Sequence, residues 1–172
     1  MVNLRLIITG TPGTGKSTLA EYLSKKLKLP LYNLTELIKQ NTQLEKEYNP
    51  ELETLEIDEA ELKKFLNEFF RDKTSFILEG HLSHLISTNL VDLCIVLRTE
   101  NKVLFKRLKS RGYSNNKIKD NLEAEIFNQC YEEAKLNKHK LLTVDTTFFN
   151  FEENTKDLDL LTDFLKQVGL IK

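Results

Sequence analysis

The chain has no tryptophan, one methionine, three prolines and six glycines in 172 residues. Its two cysteines, Cys94 and Cys130, stand far apart, so neither a disulfide framework nor a zinc spacing exists, and a reducing compartment is expected. Cys94 lies inside the apolar run Val91–Leu97 and reads as a buried core thiol. Neither sign of charge is in excess, with 25 basic against 26 acidic residues. That balance argues against bare nucleic acid as the main partner, without excluding a local basic patch, and no direct sequence-specific nucleic-acid binding is expected. No apolar run approaches the ~20 residues that span a bilayer. The apolar stretch before Gly10 lacks the length and cleavage site of a signal peptide. The expectation is a soluble cytoplasmic protein, or also a nuclear one if the source is eukaryotic. Internal repeats, low-complexity segments and dividing linkers are missing as well, which leaves one domain over residues 1–172.

What is present is an alternation. Apolar residues make up 40% of the chain, enough for a core. Short apolar runs predict strands at Leu4–Thr9, Leu31–Asn33, Ser75–Leu78, Leu93–Leu97 and Leu141–Val144. Helical spacing predicts helices at Lys16–Leu27, Thr35–Gln40, Glu59–Arg71, Lys102–Ser110, a long one at Asn115–Leu136, and a last one at Asn154–Val168 closed by Gly169. Asn41–Glu56, polar and acidic with Tyr48 and Pro50 inside, reads as a mobile loop or small helical insert. Strands that alternate with helices imply an α/β fold, a parallel sheet covered on both faces.

Between the first strand and the first helix lies Gly10-Thr11-Pro12-Gly13-Thr14-Gly15-Lys16-Ser17, the phosphate-loop pattern in the context its mechanism needs. Gly10, Gly13 and Gly15 let the backbone wrap closely around phosphate oxygens. Its N–H groups and the helix dipole then face the anion. Lys16 reaches the β- and γ-phosphates, Ser17 ligates Mg²⁺, and Thr18 adds a hydroxyl at the α-phosphate. ATP with magnesium is the expected ligand.

Glu79-Gly80-His81 follows the third strand, where ligands of open α/β sheets collect. Glu79 suits a magnesium-bound water or the orientation of an acceptor; the bland alternative is a surface acid. His81 alone is as easily structural. Arg107 and Arg111 are four apart on one helix, so their guanidinium groups converge, as phosphate binding or base stacking requires. A solvated basic helix end reads the same spacing as well.

Together, Gly10–Thr18, Glu79–His81, Val96–Thr99, Arg107–Tyr113, Asn121–Ile126 and Glu132–Ala134 resemble the short adenylate kinases linked to small-ribosomal-subunit maturation in archaea and eukaryotes. These are the isoenzyme six, or coilin-interacting, type, here in an archaeal-like form. The resemblance implies a P-loop NTPase fold of the nucleoside monophosphate kinase type, with a five-stranded parallel sheet. It implies a monophosphate-binding insert at about residues 33–56 and a short lid at about 110–120. Arg111 would bind ATP phosphates from the lid, Arg107 would lie near the adenine, and Glu79 and His81 would take the family's acid and histidine. In the second helix Lys39 stands where some relatives carry an arginine for AMP.

Ordinary adenylate kinases carry Asp-Gly-Phe-Pro-Arg where this chain has Glu79-Gly80-His81-Leu82-Ser83, so their monophosphate arginine is missing. A lysine is a point charge and not a planar fork, so AMP held by Lys39 is held more weakly. The expected reaction is ATP + AMP = 2 ADP, with Lys16, Glu79, His81 and Arg111 catalytic and Lys39 and His81 on the AMP. Rival readings are a ribosome-assembly ATPase with incidental kinase activity and a kinase for another small acceptor. The resemblance also implies a small-subunit ribosomal protein as partner; such a protein is basic, and the acidic stretch Glu45–Glu61 is either a face for it or a solvated loop.

Overall fold

The computed structural model describes residues 3–49, 54–149 and 156–170. Strand β1 (Arg5–Gly10) is followed by helix α1 (Lys16–Leu27), β2 (Leu31–Asn33) and α2 (Leu34–Gln40). A 3-10 turn at Thr42–Leu44 precedes β3 (Glu45–Asn49) and β4 (Thr54–Ile57), and α3 (Glu59–Phe70) and β5 (Phe76–Glu79) come next. Two more 3-10 turns, Ser83–Leu85 and Thr88–Leu90, lead to β6 (Leu93–Arg98). Helices α4 (Asn101–Ser110), α5 (Asn115–Ile126) and α6 (Gln129–Leu136), strand β7 (Leu141–Asp145) and helix α7 (Lys156–Gln167) complete the chain.

Five strands form one sheet in the order β2-β5-β1-β6-β7, and every pairing in it is parallel. The three central strands, β5, β1 and β6, are buried on both faces, and successive side chains go to opposite cores. Leu6 and Ile8 of β1, Ile77 of β5, and Ile95 and Leu97 of β6 pack with α1 and α7. Ile7, Phe76, Leu78, Cys94 and Val96 pack on the other face with α2, α3 and α6. Burial drives the Cys94 thiol far above its ordinary pKa, as expected of an inert core thiol. A third, smaller cluster joins α4 to α5 through Leu104, Leu108 and Ile118.

Register sets the site. Asn33 and Ile8 both pair with Glu79, Gly10 pairs with Leu97, and Arg98 pairs with Asp145. The carboxyl ends of all five strands therefore deliver their last residues to one edge, as the crevice rule for open α/β sheets requires.

Two expectations are corrected. The Asn41–Glu56 insert is, over its described residues, a short 3-10 turn at Thr42–Leu44 followed by an antiparallel strand pair, β3 with β4, Tyr48 opposite Leu55. Pro50 lies outside the described residues. The expected long helix is two. Asn128 adopts left-handed φ of 55°, a conformation asparagine tolerates, and the chain turns there. The break lets α5 stay against α4 while α6 lies on β1 and β6. The last helix is seen from Lys156; its expected start at Asn154 lies outside the described residues.

Candidate active site

The phosphate loop is shaped from behind by β6 and α4. A Cβ at Gly10 would sit 2.6 Å from the Leu97 carbonyl oxygen, and one at Gly13 would sit 2.9 Å from Leu104 Cδ1. Both glycines have positive φ, so a side chain there is excluded by space and by backbone. Gly15 caps α1 in the left-handed region with no side-chain cap. The first N–H groups of α1 thus remain for a ligand, with the helix dipole behind them. Thr14 donates its hydroxyl to the Thr11 carbonyl at 2.8 Å and closes the loop on itself.

The Lys16 ammonium donates to the carbonyls of Gly10 and Thr11 at 2.8 and 3.0 Å. Its pKa is lowered to about 8, chiefly by burial and in smaller part by the Arg111 charge, against the opposing pull of Cys130, Glu79 and Glu125. Ser17, next on α1, donates to Glu79 Oε1 at 3.1 Å, and Asn33 Nδ2 donates to the same oxygen through a short hydrogen bond. Glu79 is buried at the end of β5. A hydroxyl and a carboxylate in contact beside a phosphate loop are hard oxygen donors. Among the described residues no three His, Cys, Asp or Glu side chains gather as a cage. Mg²⁺ matches that donor set, since it takes one or two protein oxygens together with substrate phosphates. Ser17 and Glu79 are the residues that would hold it.

The opposite wall is a lattice of buried polar contacts. Thr146, just past β7, donates to the Thr14 carbonyl at 2.8 Å and sits 2.6 Å from the Thr99 hydroxyl. Arg107 on α4 donates to the Thr146 carbonyl at 2.8 Å and, more weakly, to that of Gly13 at 3.4 Å. Glu125 at the end of α5 is buried and accepts three hydrogen bonds through its carboxylate: Thr11 Oγ1 at 2.6 Å, the Thr99 N–H at 3.0 Å and Arg98 Nε at 3.1 Å. Arg111 caps α4 at the surface, and its charge depresses the pKa of both Lys16 and Arg107. Arg107 thus reaches the loop, while Arg111 stays exposed at the end of α4.

On the other side of the loop a cavity of about 350 Å³ opens between it and helices α5 and α6. Thr11, Pro12, His81, Asn121, Cys130 and Glu133 are among its walls. The His81 side chain faces this space. The residue keeps an exposed face, and packing around the ring, then the charges of Lys16 and His84, lower its pKa. The ring is neutral at physiological pH. Lys39, in contrast, lies at the exposed end of α2 and is not among the cavity walls.

Comparison with known proteins matches residues 6–128 to the AAA domain family. An adenylate kinase isoenzyme 6 homolog of Schizosaccharomyces pombe is 36% identical over 160 residues, covering 93% of this chain and 90% of its own. A protein of Pyrococcus furiosus, by name a candidate adenylate kinase, is 38% identical over 169 residues, covering 96% of this chain and 89% of its own. The chain belongs to the short adenylate kinase family. Its fold is also that of shikimate kinase from Bacteroides thetaiotaomicron, with a TM-score of 0.61 at 17% identity over 96% of this chain and 98% of the other. Deoxyadenosine kinase from M. mycoides shares the fold at a TM-score of 0.59 and 17% identity, over 95% and 100% of the two chains.

Within this adenylate kinase framework the structure brings Gly10, Gly13, Gly15, Lys16, Ser17, Glu79, Arg107 and Arg111 to one edge of the sheet, with His81 on the cavity beside them. Thr18 is exposed on the first turn of α1. Sequence reasoning missed Asn33, Glu125, Thr146 and His84. Glu125 had a signal, because it lies in the Asn121–Ile126 run that carries the family resemblance. Thr146 had none, since a threonine after a strand is ordinary until β7 is placed beside β6.

Proposed function

We propose that this protein transfers the γ-phosphoryl group of ATP to AMP, giving two ADP. The observation that carries the reading is the pairing of a complete phosphate loop with an adjoining cavity, with His81 on its wall and Glu79 beneath. A pocket of that size beside a phosphate loop is room for an acceptor rather than for a structural water.

The protein's share of the chemistry is positioning and charge neutralisation. The amides of Gly10–Lys16 cradle the phosphates, Lys16 neutralises charge at the β–γ bridge, and Arg111 swings from the short turn after α4 onto the transferring group. Gly112 follows Arg111 with φ of 74° and open space around it, which allows that swing. Magnesium, when bound at Ser17 and Glu79, supplies further neutralisation of the phosphates. Lys39 on α2 is assigned to the AMP phosphate, which requires α2 to close over the cavity. The monophosphate-binding segment is residues 33–56. The lid is 110–120, where the turn between α4 and α5 lies.

The finer role follows the resemblance to the short adenylate kinases linked to small-ribosomal-subunit maturation. ATP hydrolysis, with a neutral His81 ordering water, and participation in small-subunit ribosomal RNA maturation belong to this proposal. So do a basic small-subunit ribosomal protein facing Glu45–Glu61, part of which lies outside the described residues, and a cytoplasmic place of work. No helix among the described residues is long and apolar enough to cross a membrane.

ADP formation from ATP, measured with AMP, with other monophosphates, with shikimate and with no acceptor, tests the proposal. AMP is expected to give the highest rate. Turnover that ignores AMP and rises only with a ribosomal protein present would replace the kinase reading with the assembly-ATPase reading.

A further inference from the structure

Beneath the cleft lies a buried polar chain that the transfer reaction, as described, does not use. His84 is 1% exposed and sits in the 3-10 turn that follows His81. Its Nδ1 is 3.2 Å from the hydroxyl of Thr9, the residue before the phosphate loop, and that hydroxyl donates to the His81 carbonyl at 2.9 Å. On the far side of the ring Nε2 is 3.0 Å from Glu133 Oε2 on α6. His139 donates from Nε2 to the His84 carbonyl at 2.8 Å and pins the turn from below. Glu59 and Lys63 of α3 line the groove on the outer side of the ring. Glu133 lines both that groove and the cavity beside the phosphate loop.

Counting hydrogens shows what this chain does. A neutral imidazole carries one N–H, and Thr9 carries one O–H. Three gaps need a hydrogen: Thr9 to His81 O, Thr9 to His84 Nδ1, and His84 Nε2 to the Glu133 carboxylate. Two hydrogens cannot fill three gaps; the Cys130 thiol, 3.9 Å from the His81 carbonyl, adds only a weak donor at that carbonyl. Thr9 gives its hydrogen to His81 O, so the ring places its own on Nδ1 and donates to Thr9 Oγ1. Nε2 is then a bare lone pair, and it is the atom of the chain that has no aligned hydrogen-bond partner despite the nearness of Glu133. If Glu133 moves into line with Nε2, the hydrogen must pass to Nε2. Nδ1 then becomes an acceptor and draws the Thr9 hydroxyl off the His81 carbonyl. The two arrangements exclude one another because the Thr9 hydroxyl has one hydrogen, and when it turns to the ring the His81 carbonyl keeps only the weak Cys130 thiol contact.

We propose that His84 is a positioning residue for phosphoryl transfer: its tautomer, set by Glu133 on the cavity wall, decides whether Thr9 holds the backbone of His81. The link runs from the cavity through α6 and the ring to the residue that faces the acceptor. It rests on the reading of the cavity as the acceptor site, but its first half is testable without any substrate.

Nitrogen NMR of the ligand-free protein should show His84 as the Nδ1–H tautomer, and AMP should shift it toward Nε2–H. Thr9→Val and His84→Gln should each move the His81 ring resonances and lower kcat about tenfold, with KM for ATP within twofold, as expected for lost orientation rather than lost binding. The asparagine amide overlies Nδ1 and the glutamine amide overlies Nε2, so His84→Asn should restore kcat to within about threefold of the parent. The double variant Thr9→Val/His84→Gln should be no worse than either single, because both cut one chain. An Nε2–H tautomer in the free protein, unchanged His81 resonances in the variants, or independent multiplying effects would overturn the proposal. If His84→Gln does not fold, the isosteric Thr9→Val and His84→Asn carry the same comparison. A parent protein that shows the expected tautomer and variant shifts but no AMP-dependent turnover would sink the kinase reading and leave the hydrogen-bond chain standing.

Discussion

The two halves of the cleft are built differently. On the donor side the phosphate loop is tied down at Thr11 by Glu125, at Gly13 by Arg107 and at Thr14 by Thr146. Those ties reach α5, α4 and the end of β7, elements more than 90 residues away in sequence. On the acceptor side Lys39 is exposed, and the β3–β4 pair forms a sheet of its own, separate from the five-stranded one. The lesson is that the phosphate loop is pre-organised by packing, whereas the acceptor site proposed above would have to be assembled by closure. A rigid donor site fits a reaction whose catalysis is mainly electrostatic, because donors already in place need no reorganisation. A closing acceptor side excludes water from the reacting phosphate.

Variants on the two sides should therefore fail in different ways. The largest effect is expected from Lys16→Ala, which removes the charge at the β–γ bridge and should lower turnover at least ~100-fold. ADP formation within a few-fold of the parent would remove Lys16 from the site. Glu125→Ala comes next and should hurt both stability and donor binding. It leaves Thr11, the Thr99 N–H and half-exposed Arg98 without their acceptor, and unfolding by urea should fall by about 2 kcal/mol. Unchanged stability with normal ATP affinity would break the claim that the donor side is a locked lattice.

Arg111→Ala should lower kcat about tenfold while ATP binding in the ground state changes less, because the arginine engages only when the turn swings in. Weak binding with normal kcat would make it part of the pre-organised half instead. The smallest effect belongs to Lys39→Ala, a rise of a few-fold in KM for AMP with KM for ATP unchanged, since one exposed ammonium is a modest anion site. An unchanged AMP response would return Lys39 to the solvated surface.

The comparison also has a pH signature in the ligand-free protein. Lys16 has its pKa lowered to about 8, so between there and its unfolded value near 10.4 the unfolded chain holds more protons, and stability rises with pH across that window. His84 is lowered to about 4 by burial and then by His139, with Thr9 and Glu133 also facing the ring. Stability present above pH 6.5 is therefore lost as pH falls toward 4, where the folded ring at last accepts a proton. Thermal melts over that range should show the loss, and His84→Asn should flatten it. An equal acid slope in that variant would assign the loss to carboxylates.

Sequence alone determined the alternation of strands and helices and the donor loop, because both are written in contiguous residues. Five apolar runs gave five parallel strands, and Gly10–Ser17 needed only a strand before it and a helix after it. The same local logic misjudged the insert, where antiparallel pairing between β3 and β4 supplies what the residues' own period does not. It also ran one helix through Asn128, because a left-handed asparagine interrupts the backbone without interrupting the apolar spacing.

Tertiary structure decided which polar residues hold the site in place. Thr146, Asn33 and His84 are unremarkable in sequence, and Glu125 is marked only by the Asn121–Ile126 run it lies in. Each gains its role only when a parallel strand or a returning helix brings it to a partner far along the chain, 114 residues for Glu125 and 132 for Thr146. A short-range pattern specifies what binds phosphate, since that needs backbone amides and one lysine in a row. What orients them depends on buried hydrogen bonds between distant segments, and those bonds form only once the sheet has excluded water from both partners.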